Sequence, residues 1–295
     1  MNLILYIVKE IVALLPDKIF LKLRYYKEMG RKLDLKNPKT MNEKLQWLKL
    51  YDHNPLYTTL VDKLLVKNFI KQKIGEEYVA CTLGVWQTFD EIDFGILPDK
   101  FVLKTNHSGG NTGVVVCKDK HRLDISATKK RIEKSLKTDV YKFFREWPYK
   151  NVCKRIFAEE YLEDKQTGEL IDYKFYCFNG YVDSVMLCLD RQSGFPKFYF
   201  FDKSWKLKRY NKRGKDAPKD FSLPKPENMD KMFEIAAILS KGIPFVRVDL
   251  YNVDGQIFFG EMTFYPASGF DPNRLPETDL YFGNLIKLDA YSDTL

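Results

Sequence analysis

Several patterns that mark well-known function classes are missing from this chain. Its five cysteines (Cys81, Cys117, Cys153, Cys177 and Cys188) are odd in number and show no CxxC spacing. A disulfide framework or structural zinc site is therefore not expected, and reduced thiols in a cytoplasmic compartment fit best. No Asp-x-Asp occurs, so the metal motif common among nucleotide-sugar transferases is absent. There is neither a Walker A sequence nor a GxGxxG. No apolar run is long enough to span a bilayer, and the N-terminus lacks the basic start and small-residue cleavage site of a secretory signal. Internal repeats and low-complexity tracts are also missing. The lysines are spread out rather than clustered in a recognisable nucleic-acid module, so no nucleic-acid partner is expected.

What is present describes a packed globular protein. Over 295 residues, 45% are hydrophobic and 15% aromatic, enough for a large core and two or three subdomains. The net charge of +8 favours an anionic partner without choosing among nucleotide, acidic sugar, membrane surface and nucleic acid. In the segment 1–16, Leu5, Val8, Ile11, Val12 and Leu15 recur at helical spacing. That pattern fits first a helix docked on the protein's own core, and second a helix lying on a membrane surface.

The chain divides by character. Residues 1–75 read as helical, broken at Asn37-Pro38 and Asn54-Pro55. Thr40-Met-Asn-Glu43 has the form of a capping box opening a helix through Leu50, and a further helix is expected from Leu56 to Gln72. Residues 76–162 hold strands at 78–85, 100–104, 112–118 and 155–162, with a helical region at 125–150. Residues 163–295 are dominated by strands at 170–178, 181–190, 196–202, 245–251 and 256–263. Asn179-Gly180 is a hairpin signal, 226–241 a helix, and 205–226 a basic exposed loop. The mixture predicts an α+β fold.

Four segments carry chemistry. In Phe101–Gly113 a strand ends in Lys104 and runs into a small-residue loop containing His107, Ser108, Gly109 and Gly110. Backbone N–H groups of such a loop can close on phosphate oxygens, with Lys104 as a point charge. A plain hairpin turn fits the same residues. Ile156–Glu163 runs from apolar residues into Glu159, Glu160, Tyr161, Leu162 and Glu163. This corner can offer main-chain groups to a purine, or be a strand end with solvated acids. In Arg247–Thr263 a hairpin puts Arg247 and Asp249 on one strand face and Glu261 and Thr263 on another. Pairing across the turn would bring Asp249 near Glu261, and converging carboxylates with a hydroxyl suit Mg²⁺. A structural Arg–Asp salt bridge is the alternative. Lastly, Lys174 shares a strand face with Asp172 and Tyr176, which also fits a surface ion pair.

In this order the segments resemble the ATP-grasp superfamily. The C-terminal RVDLYNVDGQIFFGEMTFYPASGF is similar to the metal-binding hairpin of D-alanine–D-alanine ligases, and AEEYL to the adenine hinge of biotin carboxylase. LKTNHSGG, AEEYLED, DYKFYCFNG, GEMTFYPASGF and MNEKLQWLKLYD resemble the TupA-like ATP-grasp family of bacterial surface-polysaccharide gene clusters, over residues 35 to 290. The resemblance implies an ATP-grasp fold, two α+β subdomains gripping ATP, behind a helical N-terminal region. It implies ATP and Mg²⁺ as cofactors. Lys104 and Lys174 would contact phosphates under the loop 108–113. Glu159, Glu160, Tyr161 and Leu162 would surround adenine, and Glu163 would hold the ribose. Asp249 and Glu261 would ligate the metal, with Arg247 at the transferring phosphoryl group. Thr263 stands where many relatives have Asn, which leaves the number of metal ions open. His107, unusual in a phosphate loop, is either a phosphate-binding cation, an aid to the nucleophile, or structural.

The implied activity is an ATP-dependent carboxylate–amine ligase acting through an acyl-phosphate. The expected partners are an amino acid or peptide and an anionic sugar, such as a uronic acid of a surface glycan or its precursor. A glycosyltransferase and a non-catalytic nucleotide or glycan binder are the rival classes.

Overall fold

The computed structural model describes residues 13–110, 112–165, 168, 170–189 and 196–288. Residues 1–12, which carry most of the segment read as an amphipathic helix, lie outside that range, as does Asn111 of the small-residue loop.

The N-terminal third is helical: α1 (Asp17–Met29), α2 (Met41–Tyr51), α3 (Leu56–Val61) and α4 (Val66–Ile74). At α2 the expected capping box is complete. The Thr40 hydroxyl accepts from the Glu43 N–H, and the Glu43 carboxylate accepts from the Thr40 N–H. The single helix expected from Leu56 to Gln72 is two short ones. Asp62 interrupts it, its Oδ1 accepting from the N–H groups of Leu64 and Leu65 at 2.9 and 3.1 Å. A short carboxylate that bonds nearby backbone N–H groups starts a new helix rather than continuing an old one.

Two antiparallel sheets follow. The first contains β1 (Thr82–Trp86), β2 (Phe101–Thr105), β3 (Val114–Cys117) and β4 (Ile156–Glu160), in the order β1-β4-β2-β3. Between β3 and β4 lie α5 (Ile125–Leu136) and α6 (Val140–Phe144). A small core of Phe101, Leu103, Ile132, Ile156 and Ala158 joins α5 to this sheet. The second sheet contains β5 (Asp172–Phe178), β6 (Tyr181–Leu189), β7 (Lys197–Phe201), β8 (Leu207–Lys208), β9 (Val246–Val253) and β10 (Gln256–Thr263), in the order β10-β9-β5-β6-β7-β8. The architecture is α+β, as expected.

Turn chemistry sets the register of the second sheet. Asn179 and Gly180 have φ of 49° and 87°, and Asp254 and Gly255 have 50° and 85°. Two successive positive φ values match the right-handed twist of a two-residue hairpin. Period-two alternation then sends Phe175, Cys177, Val246, Val248 and Leu250 into the large core under α8 (Met229–Ser240), where Phe175 meets Phe233 edge-on at 5.1 Å. The opposite face carries Asp172, Lys174, Tyr176, Arg247 and Asp249. The stretch 205–226 is less free than expected: it contributes β8 and α7 (Lys212–Lys215), and Trp205 stacks on Phe201 at 4.7 Å. The helix α9 (Pro276–Leu285) closes the chain against α2 through Asp279, which accepts from the Asn42 N–H at 3.0 Å. All five cysteines are unpaired. Among the described residues no helix is long and apolar enough to cross a membrane.

Candidate active site

The β9–β10 register places Asp249 directly opposite Glu261 and Arg247 opposite Thr263. Arg247 fills the space between them. Its Nε and Nη2 donate to the two Asp249 oxygens, each at 2.7 Å. The same Nη2 lies 3.3 Å from Glu261 Oε1 and 3.0 Å from Thr263 Oγ1. Thr263 also donates to Glu261 at 3.1 Å. Three oxygens thus converge on one cationic nitrogen. On the other side of β9, Lys174 pairs in register with Asp249. Its Nζ is 2.5 Å from Asp249 Oδ2 and 2.8 Å from Asp172 Oδ2. This is a buried network rather than the surface ion pair that the sequence also allowed.

Electrostatics follow from that packing. Burial, the largest single influence, lowers the pKa of Lys174 and Arg247, but Asp249 and the neighbouring carboxylates together outweigh it and raise both. For Glu261 burial raises the pKa, yet Lys63, Arg247 and Lys174 together hold it well below the usual carboxylate range. Asp249 differs: its burial outweighs Arg247 and Lys174, and its pKa is raised.

Lys63 enters this cluster from the helical region. Its Nζ lies 3.0 Å from Glu261 Oε2 and donates to the Ser108 carbonyl at 2.7 Å. Its backbone N–H donates to the Asn106 carbonyl at 2.9 Å. The Asn106 side chain in turn donates to Asp62 at 2.7 Å. One lysine therefore ties the small-residue loop to the hairpin carboxylate. A single helix over Leu56–Gln72, as the sequence predicts, gives no reason for Lys63 to turn inward. Asp62, a strong helix-starting residue, was the available sign that the chain breaks there and turns Lys63 inward.

The first sheet forms the facing wall. Lys104 on β2 pairs with Glu159 on β4, whose other oxygen is 2.6 Å from Lys67 Nζ. Lys67 also donates to the Ala80 carbonyl and the Thr82 hydroxyl, at 2.9 and 2.7 Å. Glu159 is buried, which raises its pKa, but Lys104 and Lys67 bring it below its usual value. Its carboxylate is committed to two lysines rather than turned to an open corner. Glu160 accepts from the Cys81 N–H at 2.6 Å. Tyr161 donates to Glu163 at 3.0 Å, and Lys100 and Lys118 flank Glu163 at 3.7 and 3.5 Å.

His107 is buried beside the loop. Its Nε2 is 3.1 Å from the Ser135 carbonyl, so this nitrogen carries the proton and donates; Nδ1 has no hydrogen-bond partner. Burial, with the charges of Lys154 and Lys63, lowers its pKa to about 4. It is a neutral imidazole at pH 7 and not a phosphate-binding cation.

Lys104, His107, Ser108, Gly109, Gly110, Glu159, Glu160, Tyr161, Leu162, Glu163, Lys174, Arg247, Asp249, Glu261 and Thr263 all line one cavity of about 1360 Å³ between the two sheets. Among the described residues no group of three or more His, Cys, Asp and Glu side chains forms a metal cage. Two facing carboxylates and a hydroxyl are instead a partial oxygen set. Mg²⁺ is usually held in this way, with waters and substrate phosphates supplying the other ligands. The Arg247 nitrogen, occupying the point where those three oxygens meet, marks a position that accepts positive charge.

Comparison with known proteins places the chain in a family. The model of the TupA-like ATP-grasp family matches residues 43–287, most of the chain. No curated protein matches. Similar solved structures include the D-alanine–D-alanine ligase of Bacillus anthracis, at 16% identity and a TM-score of 0.44, covering 80% of this chain and 70% of that one. The D-cycloserine synthetase DcsG aligns at 12% identity and a TM-score of 0.44, over 78% of this chain and 71% of its own. The ATP-grasp ligase PsnB, in a complex with Mg and ADP, aligns at 12% identity and a TM-score of 0.40. That alignment covers 75% of this chain and 57% of PsnB, so the chain spans little more than half of its length. These structural likenesses are distant, and the placement rests on the family match. The chain belongs to the TupA-like ATP-grasp family.

Proposed function

We propose that the protein is an ATP-dependent carboxylate–amine ligase that joins an amino acid or peptide to a uronic acid of a bacterial surface polysaccharide or its precursor. One observation carries the reading. Lys63, Lys174 and Arg247 from three separate segments pair with Asp249 and Glu261 on one cavity that Lys104, paired with Glu159, and a small-residue loop also line.

A carboxylate resists amines at neutral pH because an oxide is a poor leaving group. Phosphorylation removes the obstacle. A carboxylate oxygen attacks the γ-phosphorus, the bond to the β-phosphate oxygen breaks, and ADP leaves. The amine nitrogen then attacks the acyl carbon, the carbon–oxygen bond to phosphate breaks, and inorganic phosphate departs as nitrogen loses its proton. Little covalent chemistry falls to the protein in such transfers, and positioning with charge stabilisation does most of the work.

The residues divide accordingly. Lys63, Lys104 and Lys174 meet the phosphates under the loop at 108–110. Glu159, itself paired with Lys67, holds Lys104 in place. Glu160, Tyr161 and Leu162 line the adenine end, and Glu163 the ribose. Asp249 and Glu261, with the Thr263 hydroxyl, would hold Mg²⁺, which offsets phosphate charge when bound. Arg247 offsets the charge of the phosphoryl group in transfer. The acidic sugar is supported by the net charge of +8.

The test is incubation of the purified protein with Mg-ATP, D-glucuronate or D-galacturonate, and a pool of amino acids. Phosphate release that needs both partners, with a product mass equal to their sum less water, is expected. Thermal stabilisation by a UDP-sugar and not by Mg-ATP would overturn the assignment.

A further inference from the structure

The cavity extends beyond the nucleotide residues to an end built by segments the ligase reading leaves idle. One is α1, which brings Arg24 and Glu28 to the wall, with α2 packed behind. Another is the turn after β10, Pro266–Gly269. The third is the turn at Glu146–Tyr149. Arg24, Glu146, Tyr149, Ser268 and Phe270 line this end.

Lys49 of α2 is buried behind this end, outside the cavity lining. Its three N–H groups are used by the Phe144 carbonyl at 3.0 Å, the Ser268 carbonyl at 2.8 Å and the Ser268 hydroxyl at 2.9 Å. An ammonium has three donors, so Lys49 has none left for Glu146. Lys49 therefore meets Glu146 through its charge alone. Ala267 and Ser268 both hold positive φ, 49° and 53°, which L residues rarely adopt. Gln46 bonds the Ser268 and Gly269 carbonyls at 3.1 and 2.8 Å and helps fix that shape. This strained turn follows β10 directly, so it delivers Ser268 to the cavity a few residues beyond Thr263.

Glu146 is then a half-buried carboxylate on a cavity wall. Among the described residues it makes no direct ion pair. Arg24 faces it electrostatically. The Arg24 guanidinium is held between the rings of Phe144 and Phe270, 4.7 and 5.3 Å from their centroids, with one nitrogen on the Phe143 carbonyl. Tyr149 feels both Glu146 and Glu261, which sets it between this end and the hairpin.

We propose that this end of the cavity is the subsite of the amine donor and takes an α-amino acid group: Glu146 receives its ammonium and Arg24 its carboxylate. A separated carboxylate and guanidinium on one wall complement a zwitterion and reject either charge alone. The proposal rests on the ligase reading for its substrate and deepens it.

The experiment uses the full chain with Mg-ATP and D-glucuronate or D-galacturonate, and two kinds of nucleophile. One is the set of twenty L-amino acids. The other is hydroxylamine, which is uncharged at neutral pH and gives a coloured hydroxamate. Glu146→Gln is expected to raise KM for the amino acid by about ten- to hundredfold, the worth of one charged hydrogen bond. Its KM for ATP and its rate with hydroxylamine should stay at the wild-type level. Arg24→Gln should raise KM for the amino acid and not for its decarboxylated amine, so the test survives if one variant folds poorly. Equal loss with both nucleophiles would show a merely structural role and overturn the subsite. So would an unchanged KM, or wild-type hydroxamate formation with no amino acid accepted. Absence of hydroxamate from the wild type would instead bring down the ligase reading itself.

Discussion

His107 gives the sharpest physical prediction. In the folded protein its Nε2–H is spent on Ser135 O, and Nδ1 faces no acceptor. A second proton would therefore sit on a buried nitrogen with no partner, near Lys154 and Lys63. The pKa falls from 6.5 to about 4, while in the unfolded chain it keeps its ordinary value. Between these values the unfolded state binds the extra proton and the folded state does not, so stability rises with pH across this window. The stability is fully present above 6.5 and is lost as pH falls towards 4. The full difference is about 3 kcal/mol, of which about 2 kcal/mol is gone at pH 5. Urea denaturation of the wild type and His107→Gln at pH 7 and pH 5 measures it. The wild type should lose about 2 kcal/mol more than the variant over that interval. Parallel losses in the two proteins, or a His107 ring resonance titrating near 6.5, would show that the imidazole is not held neutral by its surroundings.

Lys63→Met removes contacts to both the Ser108 carbonyl and Glu261; Mg-ATP affinity should fall about ten- to hundredfold by titration calorimetry, with ADP less affected. Glu261→Gln leaves Arg247 and Lys63 without their shared carboxylate; phosphate release should drop at least about a hundredfold while the fold persists by circular dichroism. Gly283→Ala would put a Cβ 2.0 Å from the Lys39 carbonyl and 2.8 Å from the Thr40 carbonyl carbon. Backbone on both sides cannot yield, so denaturant melts should show a loss of at least about 3 kcal/mol or no folded protein. Thr40→Ala breaks one half of the capping box at α2 and should cost about 1 kcal/mol in the same assay.

The pieces that could be read from the chain were those whose structure is decided locally. The capping box at Thr40 and Glu43, the Asn179-Gly180 turn and the Asp254-Gly255 turn each depend on a few adjacent residues, and all three stand where expected. The two-residue turn between β9 and β10 would by itself set Asp249 against Gly260; a bulge between Phe259 and Glu261 shifts the register by one and brings Glu261 opposite Asp249, which the turn residues do not announce. Glu159 shows where local reading stops. Its position at the end of β4 was legible, but its commitment to Lys67 and Lys104 joins residues 92 and 55 positions away in chain order, and no spacing rule reports such a pairing. Lys63 fails for a related reason. Apolar periodicity averages over a window, so one Asp that bonds the backbone and breaks the helix disappears into the pattern. His107 is the third case: its residue type allowed a cation, and only the Ser135 carbonyl and the enclosing loop decide that it stays neutral. Motifs thus located the site because each motif is local chemistry. The charge state of the site is a property of long-range packing, and it is there that the two sheets and the N-terminal helices act as one unit.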